Sequence, residues 1–281
     1  MWYYILIAIL VYLVLTIFFT YLVHQIPRAP VNEPPNWGHT TDTRIPAIDG
    51  GELEVWRIEP EGISRGVVVL VHGWSRNRDR MVPRASIFGQ MGFTTIIHSA
   101  RDHGRSSRHR FMNAFRFAED VEAVLNWIDE PVILYGHSVG AAGAIIAASR
   151  NPERIKLLFL EACYARTREA LRSLYRSHNL FFGLVFGPMV VFWMDIFYRF
   201  RLDEVSPALL APLIDIPVLI IHGEKDRSFP LHHALRLRDS FPGGNAELFV
   251  GKGAGHSSSS LTNEYPGVIK TFVNRHLPNK P

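Results

Sequence analysis

Two kinds of apolar stretch alternate with polar ones along the chain. The first kind occurs once at the N-terminus, where Ile5 to Val23 is interrupted only by Thr16, Thr20 and tyrosines, and the first 27 residues hold no Asp, Glu, Lys or Arg. At about 1.5 Å per residue this run is long enough to cross a hydrocarbon core of about 30 Å. The second kind is short and recurs: "GVVVLVHGW" (66–74), "GFTTIIH" (92–98), "PVILY" (131–135), "IKLLFLEAC" (155–163), "IPVLIIHGEKD" (216–226) and "AELFV" (246–250). Each is β-rich and bounded by Gly, Pro or charged residues, which predicts buried strands. Helical patterns fall between them, in "FAEDVEAVLNWI" (117–128) and from Ala141 to Arg150. Ahead of them, "IPAIDGGELEVWRI" alternates around Asp49, Gly50 and Gly51 and predicts a hairpin. Strands apolar throughout and separated by helices imply a mostly parallel sheet covered on both faces, an α/β fold.

The flanks of the long run decide what it is. It has no positive n-region and no small-residue cleavage site, which argues for a retained anchor over a signal peptide. Trp2, Tyr3 and Tyr4 at one end and Tyr21 at the other suit the two membrane interfaces. Basic residues follow the run at Arg28, Arg44 and Arg57 and none precedes it, so the positive-inside rule places the rest of the chain in the cytoplasm. The expected organisation is a single-pass transmembrane anchor (1–26), a proline-rich tether (27–37) holding a soluble domain off the bilayer, and one domain over 38–281. With 281 residues, 47% of them hydrophobic, that domain can bury a sizeable core. The single cysteine, Cys163, excludes an intramolecular disulfide framework and a cysteine-rich zinc site, and reads as a small buried hydrophobe.

Candidate chemistry sits where the short runs end. In "LYGHSVGAA" (134–142) Ser138 stands between Gly136 and Gly140 on a predicted strand-to-helix turn, which presents its hydroxyl above the sheet. A serine hydroxyl attacks only when a base takes its proton and an acid orients that base. Asp226 follows the apolar run 216–223 and is the preferred acid; Glu161, at the end of the preceding run, is the main competitor, with Glu224 and Asp215 behind it. His256 follows the last strand through the glycine-rich "GKGAG" and lies C-terminal to both, giving the order Ser138, Asp226, His256. His137 leaves the turn in another direction from its neighbour, and Ser257 to Ser260 read as a solvated loop. Backbone N–H groups for an oxyanion are expected from Val139, after the nucleophile, and from Trp74 in "HGW" (72–74), with His72 holding that loop.

These positions together resemble the α/β-hydrolase superfamily in its single-pass membrane-anchored variety. The resemblance rests on His72-Gly73-Trp74, "DHGRS" (102–106), the elbow 136–140, Gly223 to Asp226 and His256, and spans residues 38–281. It implies a serine hydrolase with an α/β-hydrolase fold, a triad of Ser138, Asp226 and His256, and an oxyanion hole from the N–H groups of Trp74 and Val139. Serine at 138 argues against dehalogenase and epoxide-hydrolase chemistry. The implied reaction is cleavage of a hydrophobic acyl ester, esterase- or lipase-like, through an acyl-enzyme, with no metal or cofactor. Thioesterase, acyltransferase and peptidase or amidase chemistry on the same triad stay open, as does a non-catalytic ligand-binding module.

A stretch between the sixth strand and the acid, about 165–212, stands where the superfamily carries a lid. Its aromatic centre, Asn179 to Phe200, approaches the length of a second span, but a crossing there would separate Asp226 and His256 from Ser138, and Asp195 would be costly in lipid. A helical lid is expected, lining an acyl pocket with Phe192 and Trp193 or dipping into the membrane surface; a lid packed only on the protein's own core is the plainer reading. Arg76, Arg78, Arg80, Arg84, Arg101, Arg105, Arg108 and Arg110 crowd two loops. They read equally as a basic rim for anionic lipid head groups or as a solvated face of a chain with net charge +4. No nucleic-acid motif accompanies them, so the expected partners are a small-molecule or lipid ester and the membrane.

Overall fold

The computed structural model describes residues 2–25, 27–29 and 35–278. Eight strands form one sheet in the order β1-β2-β4-β3-β5-β6-β7-β8. β1 (His39–Pro46) and β2 (Glu52–Glu59) are the expected hairpin, and β2 also runs antiparallel to β4 (Thr94–His98). β3 (Val67–Val71), β4, β5 (Val132–His137), β6 (Ile155–Glu161), β7 (Val218–Gly223) and β8 (Ala246–Gly251) are mutually parallel.

The helices are α1 (Trp2–Leu22), α2 (Val82–Gln90), α3 (Ala114–Trp127), α4 (Val139–Arg150), α5 (Thr167–His178), α6 (Leu180–Val185), α7 (Gly187–Phe197), α8 (Pro207–Leu210), α9 (His232–Asp239) and α10 (Tyr265–His276). Alternate strand positions feed two cores. Val67, Val69, Val71, Val132, Leu134 and Leu158 meet α3 and α4 on one face, whereas Val68, Leu70, Ile133, Tyr135 and Phe159 meet α2 and α10 on the other. The period of two in a strand is thus filled on both sides, which is why these runs are apolar throughout. Each such side chain contributes about 1.5–3 kcal/mol.

The stretch read as a lid comprises α5, α6 and α7, with its own small core of Tyr175, Val190, Val191, Met194 and Leu202. Its apolar centre is broken into two short helices at Phe186 and Gly187, so it does not form a second span-length helix. Among the described residues only α1 is long and apolar enough to cross a membrane.

The expected tether is described only in part. Residues 26 and 30–34 lie outside the described residues. At Arg28, however, the guanidinium donates to the carbonyls of Gly104 (3.1 Å) and Ser106 (3.0 Å). α1 also packs on α7. Arg28, in the described part of the expected tether, thus contacts the 102–106 turn of the domain, where a guanidinium finds fixed carbonyl acceptors.

Candidate active site

Ser138 lies between β5 and α4 at φ +57°, ψ −124°, a left-handed conformation that costs a non-glycine residue about 1–3 kcal/mol. The surrounding packing holds it there: its N–H donates to the Glu161 carbonyl at 2.8 Å, and α4 starts at once with Val139. The two flanking glycines serve close approach, since neither has a positive φ. A Cβ on Gly140 would stand 2.2 Å from the His72 carbonyl oxygen, and one on Gly136 would stand 2.5 Å from the Ala141 Cα.

Asp226 and His256 reach this serine from the carboxyl ends of β7 and β8. His256 Nε2 is 3.0 Å from Ser138 Oγ, and its Nδ1 is 2.7 Å from Asp226 Oδ2. A carboxylate against Nδ1 fixes the tautomer, so Nδ1–H donates to Asp226 and Nε2 accepts from the serine hydroxyl. Asp226 is itself held: its Oδ1 accepts the N–H groups of Ser228 and Phe229, each at 2.9 Å. The ring of Phe229 stands edge-on to His256 with centroids 5.0 Å apart.

The competing acids have other work. Glu161 is fully buried, accepts from Arg84 Nε (2.5 Å) and Nη2 (2.6 Å) and from the Tyr135 hydroxyl (2.7 Å), and so supports the elbow from below. Burial would raise its pKa, but the Arg84 guanidinium outweighs that and holds it down at about 2. Glu224 accepts the Gly253 N–H at 2.7 Å and braces the loop that carries His256. Asp215 is exposed before β7. His137 points behind the site, its Nε2 donating to the His256 carbonyl at 3.3 Å, and burial pushes its pKa down to about 3. The serine run is less solvated than expected: Ser259 is buried, and Ser258 Oγ accepts the Gly255 N–H at 2.8 Å to close the loop on the base.

The loop after β3 crosses close over Ser138, since a Cβ on Gly73 would stand 3.1 Å from Ser138 Cβ. Two buried histidines pin it. His72 Nδ1 donates to the Gly73 carbonyl (2.7 Å) while its Nε2 accepts from Ala100 N (2.9 Å). His103, to which sequence reasoning gave no role, accepts the Ser75 N–H at 3.3 Å and donates to the Arg101 carbonyl at 2.8 Å. Trp74 is carried between these two anchors, and Val139 opens a helix whose N-terminus favours negative charge.

Phe192 and Trp193 are placed differently from the expected acyl pocket. Trp193 Nε1 donates to Thr16 Oγ1 of α1 at 2.9 Å, and Phe192 is 45% exposed beside it. Among the described residues neither makes a hydrogen bond or ring contact with Ser138, Trp74 or Val139. The physical reason is the break between α6 and α7, which turns this face of α7 toward α1.

The arginine crowd divides as well. Arg78 pairs with Asp42 (2.8 Å) and Glu54 (3.4 Å), Arg84 with Glu161, and Arg101 with Asp49, Glu119 and Asp120. Arg80 donates to the Ser257 carbonyl at 3.0 Å. Arg76, Arg105, Arg108 and Arg110 are the exposed members. Glu169, His232 and His233 bring possible metal-ligand atoms within 4.8 Å of one another, but Arg236 and His232 already engage the carboxylate, and His233 Nδ1 accepts from Ala165 N.

The ends of three strands thus converge on one serine. The fold matches that of esterase Pf2001 of Pyrococcus furiosus with a TM-score of 0.71 at 19% identity, over 90% of this chain and 99% of that one. The chain has the α/β-hydrolase fold. The family described as serine aminopeptidase, S33, matches this chain over residues 62–194, just under half of its length. Among its relatives, a monoacylglycerol lipase of Mycolicibacterium smegmatis is 24% identical over 72% of this chain and 84% of its own length. An uncharacterised membrane protein of Saccharomyces cerevisiae is 22% identical over 79% of this chain and 75% of its own. The relatives and neighbours with this fold thus include a lipase and an esterase.

Proposed function

We propose that this hydrolase cleaves a hydrophobic carboxylic ester, of the lipid class, through an acyl-enzyme on Ser138. The observation that carries the reading is the pair of contacts on one imidazole, 3.0 Å to Ser138 Oγ and 2.7 Å to Asp226 Oδ2. Ser138 Oγ attacks the acyl carbon as its proton passes to His256 Nε2, and Asp226 steadies the imidazolium. The carbonyl oxygen takes up negative charge and accepts from the N–H groups of Trp74 and Val139. His256 returns the proton to the leaving alcohol, leaving an ester of Ser138. Water then attacks that ester with His256 as base, releasing the carboxylic acid and restoring the serine.

The family description raises aminopeptidase activity as a second reading. Such an enzyme needs a carboxylate for the substrate's free α-ammonium. The described carboxylates nearest the triad are engaged: Asp226 by His256, Glu161 by Arg84 and Glu224 by the Gly253 N–H. A neutral ester makes no such demand, and the lipase relatives point the same way.

The test is labelling of the membrane fraction with a fluorophosphonate, followed by turnover of p-nitrophenyl esters. The label is expected on Ser138, and Ser138→Ala is expected to lower turnover by roughly four to six orders of magnitude. Most of the activity surviving in that variant would refute the triad. Turnover of aminoacyl amides without aliphatic esters would favour the second reading.

A further inference from the structure

The N-terminal helix carries a polar stripe that its apolar composition conceals. Tyr12, Thr16 and Thr20 recur every four residues and so share one face, and His24 continues the spacing in the turn that follows α1. Thr16 and Thr20 are the buried residues of α1. The stripe meets the lid along its length. The Tyr12 hydroxyl donates to the Val185 carbonyl (2.6 Å), Thr16 Oγ1 accepts from Trp193 Nε1 (2.9 Å), and His24 Nε2 meets the Tyr198 hydroxyl (3.0 Å). Phe19 fills the space between, its ring 5.3 Å from Phe182 and 4.9 Å from Phe186. Thr20 Oγ1 donates to the Thr16 carbonyl and His24 Nδ1 to the Thr20 carbonyl, so the stripe leaves few polar groups for lipid to desolvate.

The lid's outer surface suits the same solvent as α1. Leu180 to Met194 contains no Asp, Glu, Lys, Arg or His. Phe181 is 68% exposed and Leu184 53%. The ionisable residue that follows, Asp195, is buried and paired with Arg168 at 2.8 Å. Arg172, Arg176 and His178 precede the apolar stretch and Arg199 and Arg201 follow it, the flanking pattern of a segment that enters and leaves a membrane on one side. Tyr12, which meets the corner between α6 and α7, lies ten residues before Leu22, about 15 Å along the helix. That is roughly the depth of one leaflet.

We propose that α1 is the docking partner of the lid, and that the α6–α7 hairpin, seated on the Tyr12–Thr16–Thr20–His24 stripe, lies in one leaflet of a lipid bilayer. A bilayer-resident acyl chain then reaches the lid from the side, without crossing water. The proposal rests on the reading of α1 as a membrane span, and it deepens the lipid-ester reading of Ser138.

The full-length protein in phosphatidylcholine/phosphatidylglycerol nanodiscs tests it by spin labelling at Phe181→Cys, Leu184→Cys, Leu10→Cys and Ile63→Cys. The native Cys163 is fully buried and stays unlabelled. Positions 181 and 184 are expected to collide with oxygen and to exclude a water-soluble nickel chelate, as position 10 does, while Ile63→Cys in its exposed loop shows the reverse. Nickel access at 181 and 184 would overturn the proposal, and nickel access at position 10 as well would remove the span on which it rests. Fluorophosphonate labelling of the same samples reads Ser138 independently, so loss of the label with lipid-facing lid sites would remove the catalytic reading and keep this one. As a second measurement, Tyr12→Phe with Thr16→Val is expected to lower turnover of a long-chain ester in the bilayer roughly tenfold and to spare a short soluble ester, for the loss of two hydrogen bonds. Equal turnover of both esters in variant and wild type would show that the stripe does not seat the lid.

Discussion

β7 and α6 are similar in composition and opposite in surroundings. "VLIIHG" is buried at every position, covered by helices on both sides of the sheet. "LFFGLV" buries Gly183 alone and turns Phe181 and Leu184 outward. An apolar run reports only that its residues avoid water; what they meet instead depends on which elements pack beside them. In the sheet they meet other parts of the same domain, and polar groups at the strand ends are satisfied within it. In the lid they meet α1 on one side, and on the other a surface whose size and continuity with α1 suit lipid.

That contrast can be broken most sharply from the sheet side. Arg84→Leu removes the partner of a fully buried Glu161 beneath the elbow and is expected to cost about 3–5 kcal/mol, read as a fall in the urea midpoint in detergent. The double change Arg84→Leu/Glu161→Leu should recover much of this, since the penalty belongs to the uncompensated charge. A single variant as stable as wild type would show that the pair does not hold the elbow.

A smaller effect comes from acid. His98, His103 and His137 are buried in the domain, and burial lowers their pKa values to about 4, about 4 and about 3. A folded pKa below the ordinary 6.5 means the unfolded chain binds more protons below that value. Stability from these three is therefore complete above about pH 6.5 and falls as pH drops toward 4 and then 3, each group costing up to about 1.4 kcal/mol per pH unit. Glu161 adds its own loss only below about pH 4.5, down to about 2. Thermal unfolding between pH 7 and pH 5 checks the order, and a flat midpoint over that range would contradict it.

The smallest change in stability is expected in the lid. Phe181→Ser with Leu184→Ser should leave detergent stability within about 0.5 kcal/mol, because both side chains are largely exposed. Activity on an ester embedded in vesicles should fall relative to a soluble ester. Destabilisation as large as that of Arg84→Leu would mean the lid belongs to the core after all.

The strands, the hairpin and the strand-to-helix turn were legible in the sequence because each is a local pattern of period two, period 3.6 or glycine spacing. The order of Ser138, Asp226 and His256 was legible for the same reason, since each follows the end of an apolar strand, and the parallel sheet brings those ends to one edge. Three features were not legible. His103 gives no local sign that it anchors the loop after β3, half of the arginine crowd is consumed by buried or part-buried partners, and the contact of Trp193 with Thr16 leaves no trace in composition.

By itself, then, the sequence determined the alternation that makes this an α/β-hydrolase fold, the serine on its strand-to-helix turn and the apolar length of the first helix. Tertiary structure alone decided that Glu161 belongs to Arg84, 77 residues away, and that Trp193 turns to Thr16, 177 residues away. Local pattern fixes which face of an element is apolar or polar, but a partner far along the chain is chosen only when packing brings two such faces together and leaves no buried polar group unmatched.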